Sequence, residues 1–66
     1  MKVKFDDVKL FIAMSKRGLN VSEVAQTAEI SRNTFSAIKN GRSCTPQTAD
    51  KIAKALGVDI TELIGN

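Results

Sequence analysis

The eighteen residues from Val24 to Gly41 leave room for two short helices and a tight turn, and for little else. Val21, Val24, Ala25 and Ala28 recur at the three- and four-residue spacing of one helix face. Asn20 precedes them as a cap, and Glu23, three residues on, completes a capping-box arrangement. The rhythm then breaks and restarts. Ser31 is a good cap for the next helix, in which Phe35 and Ile38 point inward about one turn apart. Ala25 is small enough to let another helix approach closely.

Similar signals organise the rest. Gly18, Gly41, Gly57 and Gly65 each follow a helix-like run, where a left-handed residue ends a helix readily. The first helix starts near Asp6, a cap, with Asp7 at its positive end and Phe5 placed to staple onto Leu10. Val8, Phe11, Ile12 and Ser15 form its expected inner stripe; Lys16 and Arg17 close it. In the fourth helix Thr45 caps, Pro46 takes the first helical position, and Ala49, Ile52, Ala53 and Leu56 face inward. A short fifth helix follows, capped by Asp59 with Glu62 three residues on, and with Ile60, Leu63 and Ile64 as its apolar face. No stretch alternates with period two for long enough to make a strand. The expected fold is all-α: five short helices in a single domain over residues 1–66.

So short a chain buries only about 60% of its unfolded surface. Cys44 is its one cysteine and it has no histidine, so a disulfide staple is excluded and a metal staple is not expected. The core must come from helix packing, or a second copy must add to it. No metal site, cofactor or small-molecule ligand is expected. The lack of disulfides suits a reducing, cytoplasmic setting. No segment approaches a membrane span, and no apolar run after Met1-Lys2-Val3-Lys4 is long enough for a signal peptide.

The net charge of +3 matters less than its distribution. From Ser31 to Lys54 stand Arg32, Lys39, Arg42, Lys51 and Lys54 against Asp50 alone. A basic half suits a polyanion, though a solvated face with uneven charge reads the same way. On the third helix the outward positions are Arg32, Asn33, Ser36, Ala37 and Asn40. Arg can pair bidentately with guanine, Asn with adenine, Ser with either, and an alanine methyl can meet a thymine methyl. A helix N-terminus, here at Ser31, suits a phosphate. This is the pattern of a helix-turn-helix whose second helix enters the major groove of duplex DNA.

Gly18-Leu19-Asn20, Val24-Ala25, Ile30-Ser31-Arg32-Asn33-Thr34-Phe35-Ser36 and Ile38-Lys39-Asn40-Gly41, in that order and spacing, resemble the phage repressor and Cro family of helix-turn-helix regulators, the XRE family. Thr48 to Val58 resembles that family's fourth helix and following turn. The resemblance implies a sequence-specific DNA-binding regulator, a repressor acting as a homodimer. It implies base contacts from Arg32, Asn33, Ser36 and Ala37. It implies phosphate contacts from Asn20, Ser31, Asn40, Arg42 and Ser43. Regulation is then expected from abundance, dimerisation or a partner protein.

There are three departures from the family pattern, the third of them a pair. Val21 stands where a Gln usually braces a phosphate and the recognition helix, and is expected to pack instead. Glu29 stands where Gly is common, putting a non-glycine residue at an expected positive φ, at a cost of about 1 kcal/mol. Met14 and Lys39 replace an Arg–Glu pair together. Met14 is expected against the stem of Lys39, whose ammonium reaches solvent or phosphate.

Other candidates carry less. Cys44 reads as a half-buried loop residue rather than a redox switch, since no second Cys or His accompanies it. Asp6 and Asp7 read as caps rather than a catalytic pair, and Ser15-Lys16 diverge by about 100°. No catalytic residue is expected. The alternative is an antitoxin-like or other protein-binding helical module that also binds its own promoter. Leu10, Phe11 and Met14 leave the first helix apolar over more than one stripe, which fits either ordinary exposure or self-association.

Overall fold

The computed structural model describes residues 1–64; Gly65, expected to follow the last helix, lies outside them. Four α-helices form, α1 (Asp7–Arg17), α2 (Val21–Ala28), α3 (Arg32–Lys39) and α4 (Pro46–Leu56). Each starts at the expected cap. Asp6 accepts from the amides of Val8 and Lys9, both at 3.0 Å, and Thr45 accepts from Thr48 at 3.3 Å ahead of Pro46. Each helix ends on a residue of positive φ at or next to its cap: Gly18, Glu29, Gly41 and Gly57.

The fold is all-α as expected, but with four helices among the described residues rather than five. The expected fifth is a single 3₁₀ turn, Ile60–Glu62. Its capping box forms, yet its amides reach only three residues back, Glu62 to Asp59 at 2.9 Å and Leu63 to Ile60 at 3.0 Å. The carbonyl of Leu63 then accepts from the amide of Asp6 at 2.8 Å. A non-local partner takes the place of a further helical turn.

The core holds Leu10, Met14, Val24, Phe35, Ile38, Ile52, Leu56 and Leu63, and no polar or charged side chain among the described residues is buried with them. α2 lies against both α3 and α4, and α1 and the 3₁₀ turn also pack on α4. The inner faces of α2, α3 and α4 are as expected, with Val21 half-buried against the core.

The inner face of α1 is not. Leu10, Ala13 and Met14 are buried, while Val8, Phe11 and Ile12 stay 61%, 62% and 46% exposed and Ser15 is exposed too. The staple explains the rotation. Phe5 and Leu10 share one core cluster. A helix that turns Leu10 inward carries Phe11 about 100° away from it.

The N-terminal segment is extended. Val3 exchanges both backbone hydrogen bonds with Cys44, at 2.7 and 2.8 Å, and Phe5 bridges to Ile64. These are isolated bridges, not strands. Still, Lys2-Val3-Lys4-Phe5 alternates exposed and buried, a period-two pattern four residues long.

Candidate nucleic-acid interface

The turn between α2 and α3 is closed by hydrogen bonds to α2. The amide of Ile30 donates to Ala25 and that of Glu29 to Gln26, at 3.0 and 3.1 Å. Glu29 lies between them at φ 60°, ψ 40°, the left-handed conformation expected of a glycine site. Its carboxylate is exposed and lines a shallow cleft with Lys51 and Lys54. Lys54 also pairs with Asp50 at 3.2 Å, an exposed pair of small energetic consequence.

At the start of α2, Asn20 and Glu23 form the reciprocal box. The Asn20 side-chain oxygen Oδ1 accepts from the Glu23 backbone amide at 2.8 Å, and the Asn20 backbone amide donates to the Glu23 carboxylate at 2.9 Å. The side-chain NH₂ of Asn20 is left to donate outward. At the start of α3 the Ser31 hydroxyl accepts from the Thr34 amide at 3.0 Å and meets the Thr34 hydroxyl at 2.6 Å. That hydroxyl is therefore engaged within the helix cap. The donors left at this end are the amides of Arg32 and Asn33, which have no acceptor within the helix.

The sequence-expected base-reading residues lie on one arc of α3. With about 100° per residue, Arg32, Ser36, Asn33 and Ala37 spread over the side opposite Phe35 and Ile38, which are buried. Arg32 and Asn33 are exposed in the first turn; Ser36 and Ala37 are half-buried one turn later. Asn40 is exposed on the same arc and caps the helix.

The remaining expected phosphate contacts gather at the other end of α3. The amide of Arg42 donates to Ala37 at 3.0 Å across Gly41, so the chain doubles back over the helix end. Arg42 is exposed and Ser43 half-buried in the loop that follows. Lys39 is half-buried in a cleft of about 540 Å³ lined by Lys4, Phe5, Asp6, Asp7, Asn40 and Gly41. Met14 sits in the core.

Lys4 was not among the residues expected at this surface. The signal for it was the alternation of Lys2, Val3, Lys4 and Phe5, too short to stand as a strand but enough to turn both lysines outward.

Two titratable groups are shifted for structural reasons. Burial pushes the Cys44 thiol above its usual range, which favours the unreactive protonated form. The backbone amide and then the hydroxyl of Thr61 hold the Asp59 carboxyl below the usual range, as suits a cap. Among the described residues no group of three or more His, Cys, Asp or Glu could hold a metal ion, and no helix is long and apolar enough to cross a membrane.

Residues 9–65 match the family described as Cro/C1-type HTH DNA-binding domain. No curated protein matches the chain. Solved structures share its fold: native PhpD with cadmium atoms, and PhpD with cadmium complexed with hydroethylphosphonate, each at TM-score 0.81 and 22% identity. A mutant of hydroxyethylphosphonate dioxygenase aligns at TM-score 0.82 and 22% identity. Each alignment covers 97% of this chain and 14% of the other, so the chain spans about one seventh of those proteins. At that identity the likeness is one of fold alone.

Proposed function

Because the chain belongs to the Cro/C1-type helix-turn-helix DNA-binding domains, we propose that it is a sequence-specific transcriptional repressor that reads the major groove of duplex DNA with α3. The observation that carries this reading is the single arc of Arg32, Asn33, Ser36 and Ala37, opposite the buried Phe35 and Ile38. Contacts to phosphate position such a helix, and contacts to base edges specify the sequence. Here the amide-rich starts of α2 and α3, at Asn20 and Ser31, would hold one stretch of backbone. Lys39, Asn40, Arg42 and Ser43 would hold another.

In this reading two copies act together. Two recognition helices must meet successive major grooves, about 34 Å apart on one side of the duplex. The apolar side chains of Val8, Phe11 and Ile12 on α1 stand exposed among the described residues, and they support pairing. The half-buried free thiol of Cys44 suits a reducing compartment, the cytoplasm.

The test is duplex binding at several salt concentrations, with selection of bound sites from a random pool. The expected result is a negative slope of log K against log salt, roughly −0.9 per phosphate contacted, and one enriched site. A flat salt response rejects DNA binding. A salt response without an enriched site rejects sequence-specific reading.

A further inference from the structure

We propose that Lys2 and Lys4 are phosphate contacts of the same DNA surface, held beside α3 by the pairing of Val3 with Cys44. The proposal rests on the DNA-binding reading above and adds a contact segment to it. Residues 1–8 lie outside the stretch that matches the family, so the contribution belongs to this chain's own N-terminus.

Three observations carry it. First, Val3 and Cys44 form a hydrogen-bonded antiparallel pair, which sets Lys4 opposite Ser43 and Lys2 opposite Thr45. Opposed residues share a face. Val3 turns into the core, so both lysines turn outward beside the loop that follows α3. Second, Lys4 lies over the end of α3: its Cε is 3.9 Å from the point a Cβ on Gly41 would occupy. The ammonium is one bond further on, in the cleft that Asn40 also lines. Third, the segment is tied beyond Lys4 as well as at Val3. The amide of Asp6 donates to Leu63, and Phe5 is buried, so the lysines project from an ordered backbone.

The electrostatics favour cations there. The C-terminal end of a helix carries partial negative charge. Asn40 and Arg42 therefore present donors at the end of α3 that is less favourable to an anion. Lys4, with Lys39 in the same cleft, offsets that charge. Asp6 and Asp7 line the cleft as well. The carboxylate of Asp6 is engaged by the amides of Val8 and Lys9, whereas Asp7 is exposed at the helix start. A phosphate is thus directed away from Asp7, toward Lys4 and the loop of Arg42 and Ser43 beside which the Val3–Cys44 pair sets Lys2 and Lys4.

The experiment measures duplex affinity against salt for the wild type, Lys2→Ala, Lys4→Ala, the double variant and Arg17→Ala. Arg17 lies at the end of α1, over Gly57, and reports the effect of net charge. The expected result is a slope shallower by about 0.9 for each of Lys2 and Lys4, equal losses on specific and random duplexes, and an unchanged slope for Arg17→Ala. Salt-dependent binding by the wild type with an unaltered slope in the double variant overturns this inference alone. So does an equal loss in Arg17→Ala. A wild type without salt-dependent binding overturns the underlying reading and this inference with it.

Discussion

The amide of Ile30 reaches back over Glu29 to the carbonyl of Ala25, at 3.0 Å, and so shapes the turn that aims α3. Glu29 holds φ 60° to allow it, the one non-glycine residue of positive φ among the described residues. Left-handed backbone costs a residue with a Cβ about 1–2 kcal/mol. Glycine would relieve most of that while adding some freedom to the unfolded chain. Glu29→Gly is therefore expected to stabilise the domain by about 0.5–1 kcal/mol, read as a higher denaturant midpoint at constant slope. A lower midpoint would contradict the strain argument.

Arg32→Ala and Asn33→Ala are each expected to weaken binding to the selected site by about 1–3 kcal/mol and to relax preference at one base position. Binding to random duplex should fall little for Asn33→Ala, whose side chain is uncharged. Equal losses on both duplexes would move these residues from base reading to backbone contact.

Lys39→Glu places a third carboxylate in the cleft that already holds Asp6 and Asp7. It should weaken duplex binding on every sequence while leaving the thermal midpoint close to that of the wild type, since Lys39 is half-buried and outside the apolar core. Unchanged affinity for the selected site would remove Lys39 from the phosphate-binding set.

Phe11→Glu tests pairing through α1. Phe11 is 62% exposed, so folding stability should change by no more than about 0.5 kcal/mol. Sedimentation should show a wild-type dimer and a variant shifted toward monomer. If the wild type is monomeric on its DNA site as well, the homodimer proposal fails.

The Asp59 carboxyl is held below its usual range by the Thr61 amide and hydroxyl. A lowered folded pKa contributes stability above the unfolded pKa, and that contribution is lost as pH falls through the folded value. Wild type and Asp59→Asn should differ in thermal midpoint at neutral pH and converge in acid, below about pH 4, where unfolded carboxylates titrate. A gap of constant size across that range would assign the difference to the amide's geometry instead of the charge.

The helices were legible because their determinants are local. Asn20 with Glu23, Ser31, Thr45 with Pro46, and the stops at Gly18, Gly41 and Gly57 act within one turn of themselves, so each can be read without knowing what lies across the core. The inner faces of α2, α3 and α4 were legible too, since each has one apolar stripe. The arc of Arg32, Asn33, Ser36 and Ala37 follows from Phe35 and Ile38 by helical geometry alone.

What sequence by itself determined, then, is α1 to α4 with their caps, and the face α3 turns outward, because capping and periodicity are short-range; the expected fifth helix is a 3₁₀ turn, its end fixed by the Asp6–Leu63 contact. Only the tertiary structure decided which stripe of α1 enters the core. Both Leu10-Ala13-Met14 and Val8-Phe11-Ile12 satisfy the helical period, and the choice rests on Phe5, Leu63 and α4 meeting one of them. It also brought Val3 to Cys44, setting Lys2 and Lys4 beside the end of α3. That contact joins segments about forty residues apart, and pairing over such a separation is specified by the whole packed core rather than by either segment.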